Sequence, residues 1–449
     1  NNRMIARAIA AAITTTIGNT FVIRAVAVSS FTTTSAKRAA STSTNMVSKI
    51  TGMPAGPYPV GVTTIQFDDK NRKDPGNSNK LRGLQTEIWY PANIDEASSK
   101  KTKYSDYLGI PDGCSKDEQN RILDIANGPN AIGGYRDGIS IEELDDPRRT
   151  TWLTDAVRDV SFVKEKKKFP LVLFSHGSGA YRASYSYWTE FLASHGFVVA
   201  ACDHPGSARF TIVDNAVIVP GGARSKMNSM KLERPKDMIT VLDGIERLSS
   251  DDDSSMFAGR IDCTNVAVTG MSFGGQTAAE VLEFQDPRIK AAVLQCPAIA
   301  SSGLNVEWKN RDTPIMVMLG TEDTVIGRYD GNDAARQYVD NHNEDAYLME
   351  IVRGGHVSFT SCEMYDPEYG NGIADKRSCP SQTRPGTTYR PLDIVQQHTM
   401  INSYGLAFLN TYLQQKDENR EYDQSYLDEK KNHFSTDELI FRKGTTTGK

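Results

Sequence analysis

The residues with the clearest capacity for chemistry are a serine set between glycines, Gly270-Met271-Ser272-Phe273-Gly274, which fits G-x-S-x-G. The pattern by itself is weak, because chance supplies it in roughly one chain in six of this length when Gly and Ser each make up near 7% of residues. Its surroundings carry more weight. Residues 265–269 (Asn-Val-Ala-Val-Thr) read as a strand running straight into the motif, and residues 275–280 (Gly-Gln-Thr-Ala-Ala-Glu) open a helix behind it. A strand–turn–helix around such a serine strains its backbone and aims the hydroxyl outward at the carboxyl end of a sheet, where it can attack a carbonyl carbon. The bland alternative is a Gly-rich turn with an idle serine, and it predicts no partner groups elsewhere in the chain.

Partner groups are present. Acyl transfer needs N–H donors for the oxyanion that forms on the substrate carbonyl. The backbone N–H of Phe273 is the first candidate. The second is expected from a loop after an earlier strand, and His176-Gly177-Ser178-Gly179 follows the apolar run 169–175, which makes the Ser178 N–H the choice. His176 is expected to brace this loop. Gly177-x-Gly179 lacks the third glycine of a dinucleotide fingerprint.

The acid and base should follow the serine in the order Ser, Asp/Glu, His. Residues 314–319 form a strand that ends in Gly320-Thr321-Glu322-Asp323, and the next strand ends in Arg353-Gly354-Gly355-His356. Parallel strands present their carboxyl ends together, so these loops share the rim of Ser272. His356 is therefore the expected general base and Asp323 the residue that holds its tautomer, with Glu322 as the adjacent alternative. The chain has only seven histidines. His176, His195 and His204 precede the serine, His342 precedes a strand, His398 falls inside a helical stretch and His433 lies near the carboxyl end. No metal-binding spacing is apparent and this chemistry requires none, so no metal and no cofactor is expected.

The elements that must position these groups alternate. Strands are expected at 60–67, 84–90, 169–175, 197–202, 266–269, 289–294, 314–319 and 347–352. Helices are expected near 117–125, 185–194, 235–248, after Ser272, 332–339 and 392–412. This is an α/β chain with a mostly parallel twisted sheet, helices on both faces and antiparallel N-terminal edge strands, the α/β-hydrolase fold. The catalytic domain is expected over residues 51–415, and residues 416–449 are expected to be a charged C-terminal tail.

Composition narrows the partners. The chain has 449 residues, 51 basic and 56 acidic, a net charge of −5 and 39% hydrophobic residues. That balance gives no whole-protein attraction to nucleic acid, and no run of apolar residues is long enough to span a membrane. Residues 1–50 carry basic, Ser/Thr-rich and apolar stretches with no Asp or Glu. They read as a cleavable targeting presequence or a disordered tail, with Met4 as the expected start. Ala25-Val26-Ala27 has the look of a signal-peptidase site, followed by a transit-like segment. The expected route is secretory, ending outside the cell or in a plastid. Of the six cysteines, Cys202, Cys263 and Cys296 fall in or beside apolar strands as core thiols, and Cys362 and Cys379 are able to pair in an oxidising compartment.

Several motifs together resemble the platelet-activating factor acetylhydrolase family. They are Gly56-Pro-Tyr-Pro-Val-Gly-Val62, Phe174-Ser-His-Gly-Ser-Gly-Ala180, Leu192-Ala-Ser-His-Gly-Phe-Val-Val-Ala-Ala201, Asp203-His204 and Gly270-Met-Ser-Phe-Gly-Gly275. The likeness runs over residues 53–412. It implies a calcium-independent esterase that removes short or oxidised acyl groups from the sn-2 position of phospholipids, with transient contact to a lipid surface. One departure stands out: plasma-type members carry their acid where this chain has Gln295. The Gly-Thr-Glu-Asp323 pattern instead resembles cutinases and dienelactone hydrolases. The expected function is thus a serine carboxylic-ester hydrolase on short-acyl lipid esters. The alternatives are an esterase on small esters, lactones or polyesters, or a catalytically silent fold used for binding.

Overall fold

The computed structural model describes residues 52–74, 78–94, 100–111, 113–127, 155–165, 167–219, 224–250, 255–299, 312–326, 331–342, 345–361, 379–414, 421–428, 430–431 and 433–444. The presequence assigned to residues 1–50 lies outside them.

Strands β1 (Val60–Lys73) and β2 (Leu81–Pro91) pair antiparallel, as expected, but run further toward each other than their apolar cores suggest. Helix α1 (Lys116–Asn127) and the two-residue β3 (Val157–Arg158) follow. The parallel series then begins with β4 (Phe169–Ser175), α2 (Ser186–Ser194) and β5 (Val198–Cys202). A small hairpin of β6 (Thr211–Val213) and β7 (Ala216–Ile218) leads to α3 (Arg224–Leu248). Next come β8 (Ile261–Met271), α4 (Phe273–Leu282), β9 (Ile289–Gln295), β10 (Ile315–Gly320), α5 (Gly331–Asp340) and β11 (Ala346–Ile351). The short pair β12 (Cys379–Pro380) and β13 (Thr388–Tyr389), then α6 (Ile394–Leu413) and β14 (Leu439–Lys443), complete the order.

Ten strands form one sheet in the order β14-β11-β10-β9-β8-β4-β5-β2-β1-β3. The strands from β5 through β11 are mutually parallel, so β4, β8, β9, β10 and β11 all deliver their following loops to the same rim. Period-two alternation splits the core into two layers. Val172 and Phe174 of β4 pack with Trp188 of α2 and Tyr404 and Phe408 of α6. Leu171 and Leu173 face the other way, toward Leu242 of α3, Val281 of α4 and Val339 of α5.

Two expectations need amendment. Helix α3 begins before Pro235 rather than at it, and the proline sits inside the helix. A proline suits a helix's first turn best, which is why the sequence suggested a start there. The charged stretch after residue 415 is more than a surface tail: β14 pairs antiparallel with β11, and Leu427 and Leu439 are buried in the layer that holds α6. Alternation over only five residues, with Ile440 left exposed, gave too short a signal to separate from its charged surroundings. Cys379 carries a free thiol, and its suggested partner Cys362 lies outside the described residues. No described helix is long and apolar enough to cross a membrane.

Candidate active site

Ser272 stands between β8 and α4 with φ +58° and ψ −119°, a conformation that costs a non-glycine residue on the order of 1–3 kcal/mol. The surrounding glycines make the turn possible. A Cβ on Gly274 would strike the Ser175 carbonyl, and one on Gly270 would strike the Gly274 carbonyl. Three backbone bonds hold the strained residue: Ser272 N–H donates to Gln295 O (2.8 Å), and its carbonyl accepts from Ala298 N–H (3.1 Å) and from Gln276 N–H (3.0 Å) in the first turn of α4. The serine therefore sits at the amino end of a buried helix, where the backbone dipoles favour negative charge.

The loops after β10 and β11 are tied to each other. Glu322 N–H donates to Gly354 O (2.9 Å), and Arg353 N–H donates to Thr321 Oγ1 (3.0 Å). This brings His356 Nδ1 within 2.7 Å of Asp323 Oδ2. The other Asp323 oxygen accepts from the N–H groups of Val325 and Ile326, each at 2.9 Å. Burial pushes the Asp323 carboxyl up, but the hydrogen bond from His356 and those two N–H groups outweigh it and hold the group below the usual carboxylate range. Glu322, the adjacent alternative, turns elsewhere and accepts from Ser381, Gln382 and Thr383 in the segment between β12 and β13.

Ser272 Oγ makes no hydrogen bond to His356 here, and catalytic contacts of this kind often tighten only with substrate bound. The two are linked through β9: Gln295 O holds Ser272, and the next residue, Cys296, lies beside Asp323 and His356. Cys296 Sγ, a carboxylate oxygen of Asp323 and a ring nitrogen of His356 all lie within 4.8 Å of one another. Such a trio invites comparison with a metal site. The donors are already engaged, however, since Asp323 accepts from three N–H groups and burial drives the Cys296 thiol pKa well up. Among the described residues no acceptor engages the N–H of Phe273 or of Ser178.

Behind this rim lies a polar cluster that the sequence did not announce. Ser175 Oγ lies 2.9 Å from His204 Nε2, and His204 Nδ1 lies 2.9 Å from Asp237 Oδ2. Asp237 also receives Arg82 through two bonds (2.8 and 2.7 Å) and Arg72 at 2.7 Å. His204 N–H donates to His176 Nε2 (3.2 Å), and His176 Nδ1 reaches Gly177 O (2.7 Å), so His176 does brace its loop. Burial, then the charge of Arg234, pushes His204 down to about 3. Ser175, His204 and Asp237 come from β4, the loop after β5 and α3, and Arg72 and Arg82 from β1 and β2. No local spacing could have revealed them.

A cavity of about 1040 Å³ opens at the opposite, amino-terminal ends of β4 and β8, lined by Tyr58, Lys167, Phe169, His195 and Asp262. It does not reach the rim residues.

Comparison with known proteins agrees with this geometry. Residues 43–240 match the family described as platelet-activating factor acetylhydrolase, isoform II, and residues 164–370 match the PET hydrolase-like family. The chain is an α/β-hydrolase resembling the platelet-activating factor acetylhydrolases. Platelet-activating factor acetylhydrolase of Cavia porcellus is 30% identical over 171 residues, 33% of this chain and 39% of that protein. Cutinase est1 of Thermobifida alba is 24% identical over 199 residues, 44% of this chain and 57% of that protein. The chain thus spans about half the length of the curated relatives it matches. A solved ferulic acid esterase from Streptomyces cinnamoneus superposes with a TM-score of 0.60 at 22% identity, covering 87% of this chain and 98% of that one, which shows a shared fold.

Proposed function

We propose that this α/β-hydrolase is a serine carboxylic-ester hydrolase working through an acyl-enzyme, with short-acyl lipid esters as its substrate class. The observation that carries the proposal is the buried His356–Asp323 pair on the same rim as a strained serine at a helix start. In this mechanism Ser272 Oγ attacks the ester carbonyl carbon while His356 Nε2 takes its proton, and Asp323 holds Nδ1–H and steadies the imidazolium. The oxyanion is received by the N–H groups of Phe273 and Ser178. Collapse breaks the bond to the alcohol, which leaves with the proton from His356. Water then attacks the acyl-serine by the same route, releasing the acid and restoring Ser272.

A second reading, an esterase of the same mechanism on small or polymeric esters, draws on a specific observation. The PET hydrolase-like match spans Ser272, Asp323 and His356, whereas the acetylhydrolase match ends before Ser272. The acid also follows β10, and the carboxyl end of β9 carries Gln295. Hydrolysis of a 2-thioacetyl ether-phospholipid beside p-nitrophenyl acetate and butyrate separates the two. Preference for the phospholipid, abolished in Ser272→Ala, supports the lipid reading. Turnover of the simple esters alone moves the substrate to the second. Silence on all three from folded protein overturns both and favours a binding role.

A further inference from the structure

Three arginines are buried to within 2% of complete exclusion from solvent: Arg82, Arg182 and Arg234. The first two are neutralised in place. Arg82 grips Asp237 through two bonds, and Arg182 holds Asp203 (2.6 Å) and Glu87 (3.1 Å). Arg234 has no carboxylate within ion-pair distance among the described residues, and its Nε finds no acceptor. A buried cation left without a counter-ion is expensive, and a fold that needed only packing there would be better served by an apolar side chain.

What Arg234 does touch is the support of the oxyanion donors. Its Nη2 donates to the carbonyl of His176, the residue that opens the loop carrying Ser178, and to Ser175 Oγ at 3.0 Å. Its guanidinium lies over the ring of Phe273, with Cζ 4.4 Å from the ring centroid. One planar group thereby touches both halves of the anion site, beyond the point where the neighbouring strands β4 and β8 stop pairing at Ser175 and Gly270. Nη1 reaches Ser207 Oγ at 3.4 Å, which turns the plane toward the loop after β5. The charge lies against the Phe273 ring and the His176 carbonyl, fully buried, in surroundings of low dielectric where its field acts strongly.

We infer that Arg234 is a positioning residue for the oxyanion site, locking the Ser178 loop to the Phe273 turn and supplying a buried positive field behind both. This rests on the serine-esterase reading above. Burial lowers its own pKa to about 10, which still leaves it charged at neutral pH. The placement binds the tetrahedral state more strongly than the planar ester, so its loss should fall on turnover more than on substrate binding.

The test compares wild type, Arg234→Met and Arg234→Lys on p-nitrophenyl butyrate, with inhibition by phenylboronic acid, which adds Ser272 Oγ to boron and mimics the tetrahedral state. Thermal unfolding is followed in parallel by circular dichroism. Arg234→Met should lower kcat by about tenfold to a hundredfold, somewhat less than removal of a direct oxyanion donor, and weaken boronic acid inhibition by a similar factor. KM should stay within about twofold of wild type, as expected when a transition-state contact is lost. Arg234→Lys keeps the charge but not the fork or the stack, so it should recover only part of the loss. Should Arg234→Met not fold, Arg234→Lys decides the matter, since wild-type kcat and wild-type boronic acid affinity in that variant overturn the inference. So does an Arg234→Met protein that melts earlier yet turns over normally while folded. A wild type silent toward both ester and boronic acid overturns the esterase reading with it, whereas an active wild type confines any failure to Arg234.

Discussion

In Ser175–His204–Asp237 both hydrogen bonds of a proton relay are complete, with the serine hydroxyl 2.9 Å from one ring nitrogen and the carboxylate 2.9 Å from the other. At the rim, Ser272, His356 and Asp323 show only the second of these bonds. By hydrogen-bond geometry alone the interior trio is the better formed. It differs in two respects that decide its chemistry. Ser175 and His204 are fully excluded from solvent, while Ser272 and His356 retain 7% and 4% exposure at the carboxyl end of the sheet. Ser175 also ends an ordinary strand, whereas Ser272 is held at positive φ beside a helix start with unengaged N–H groups. Slight exposure, backbone strain and unengaged N–H groups set Ser272 apart from Ser175; a serine, histidine and aspartate in line do not.

The contrast can be broken most directly by exchanging the serines' fates. Ser272→Ala should cost on the order of a millionfold in turnover with the fold intact, whereas Ser175→Ala should stay within about tenfold of wild type, measured on p-nitrophenyl butyrate. Equal losses would mean that the interior trio takes part in the reaction. The acids should diverge in the same way. Asp323→Asn should reduce kcat by about ten-thousandfold by favouring the wrong tautomer of His356. Asp237→Asn leaves Arg82 and Arg72 facing a neutral amide and should instead cost about 3–5 kcal/mol of stability by urea unfolding.

Acid titration sharpens the comparison further. His204 protonates in the fold only near pH 3, against a usual value of 6.5, so the unfolded chain takes up a proton first as pH falls. Its contribution to stability is complete above about pH 6.5 and is lost progressively toward pH 3. His176, likewise lowered by burial, adds in the same direction. Unfolding midpoints should therefore drop from pH 7 to pH 4, and His204→Gln should flatten that slope. An unchanged slope would place the acid sensitivity elsewhere. At the start of α6, Asp393 caps the helix by accepting from Val395 N–H (2.9 Å) and Gln396 N–H (3.2 Å). Asp393→Ala should cost only about 1 kcal/mol, with turnover unchanged.

The rim was legible in the sequence because its signals are local. A strand reads into Gly270–Gly274, and two further strands end in short loops bearing Asp323 and His356, so chain order and parallel topology together bring those loops to one place. The interior cluster was opaque for the opposite reason. Ser175, His204 and the α3 pair Arg234 and Asp237 come from three separate places in the chain, and each is individually unremarkable: a strand-end serine, a loop histidine, an arginine before Pro235 and an aspartate after it. Only the register of β4 against β5 and the path of α3 bring them together. Strand β14 escaped for a third reason, since its burial depends on the edge of β11 rather than on a pattern of its own.

That last strand bears on the order in which the protein comes into being. β14 pairs along the whole of β11, and Val352 N–H donates to Glu438 O (2.9 Å) just ahead of the loop that carries His356. During synthesis the Ser272 turn and the Ser178 loop emerge early and can assemble on the growing sheet. Strand β11 must wait with a bare edge until residues 439–443 leave the ribosome. A chain clipped ahead of residue 439 would leave that edge of β11 bare beside the loop that carries His356, which would then rest on its ties to the loop after β10.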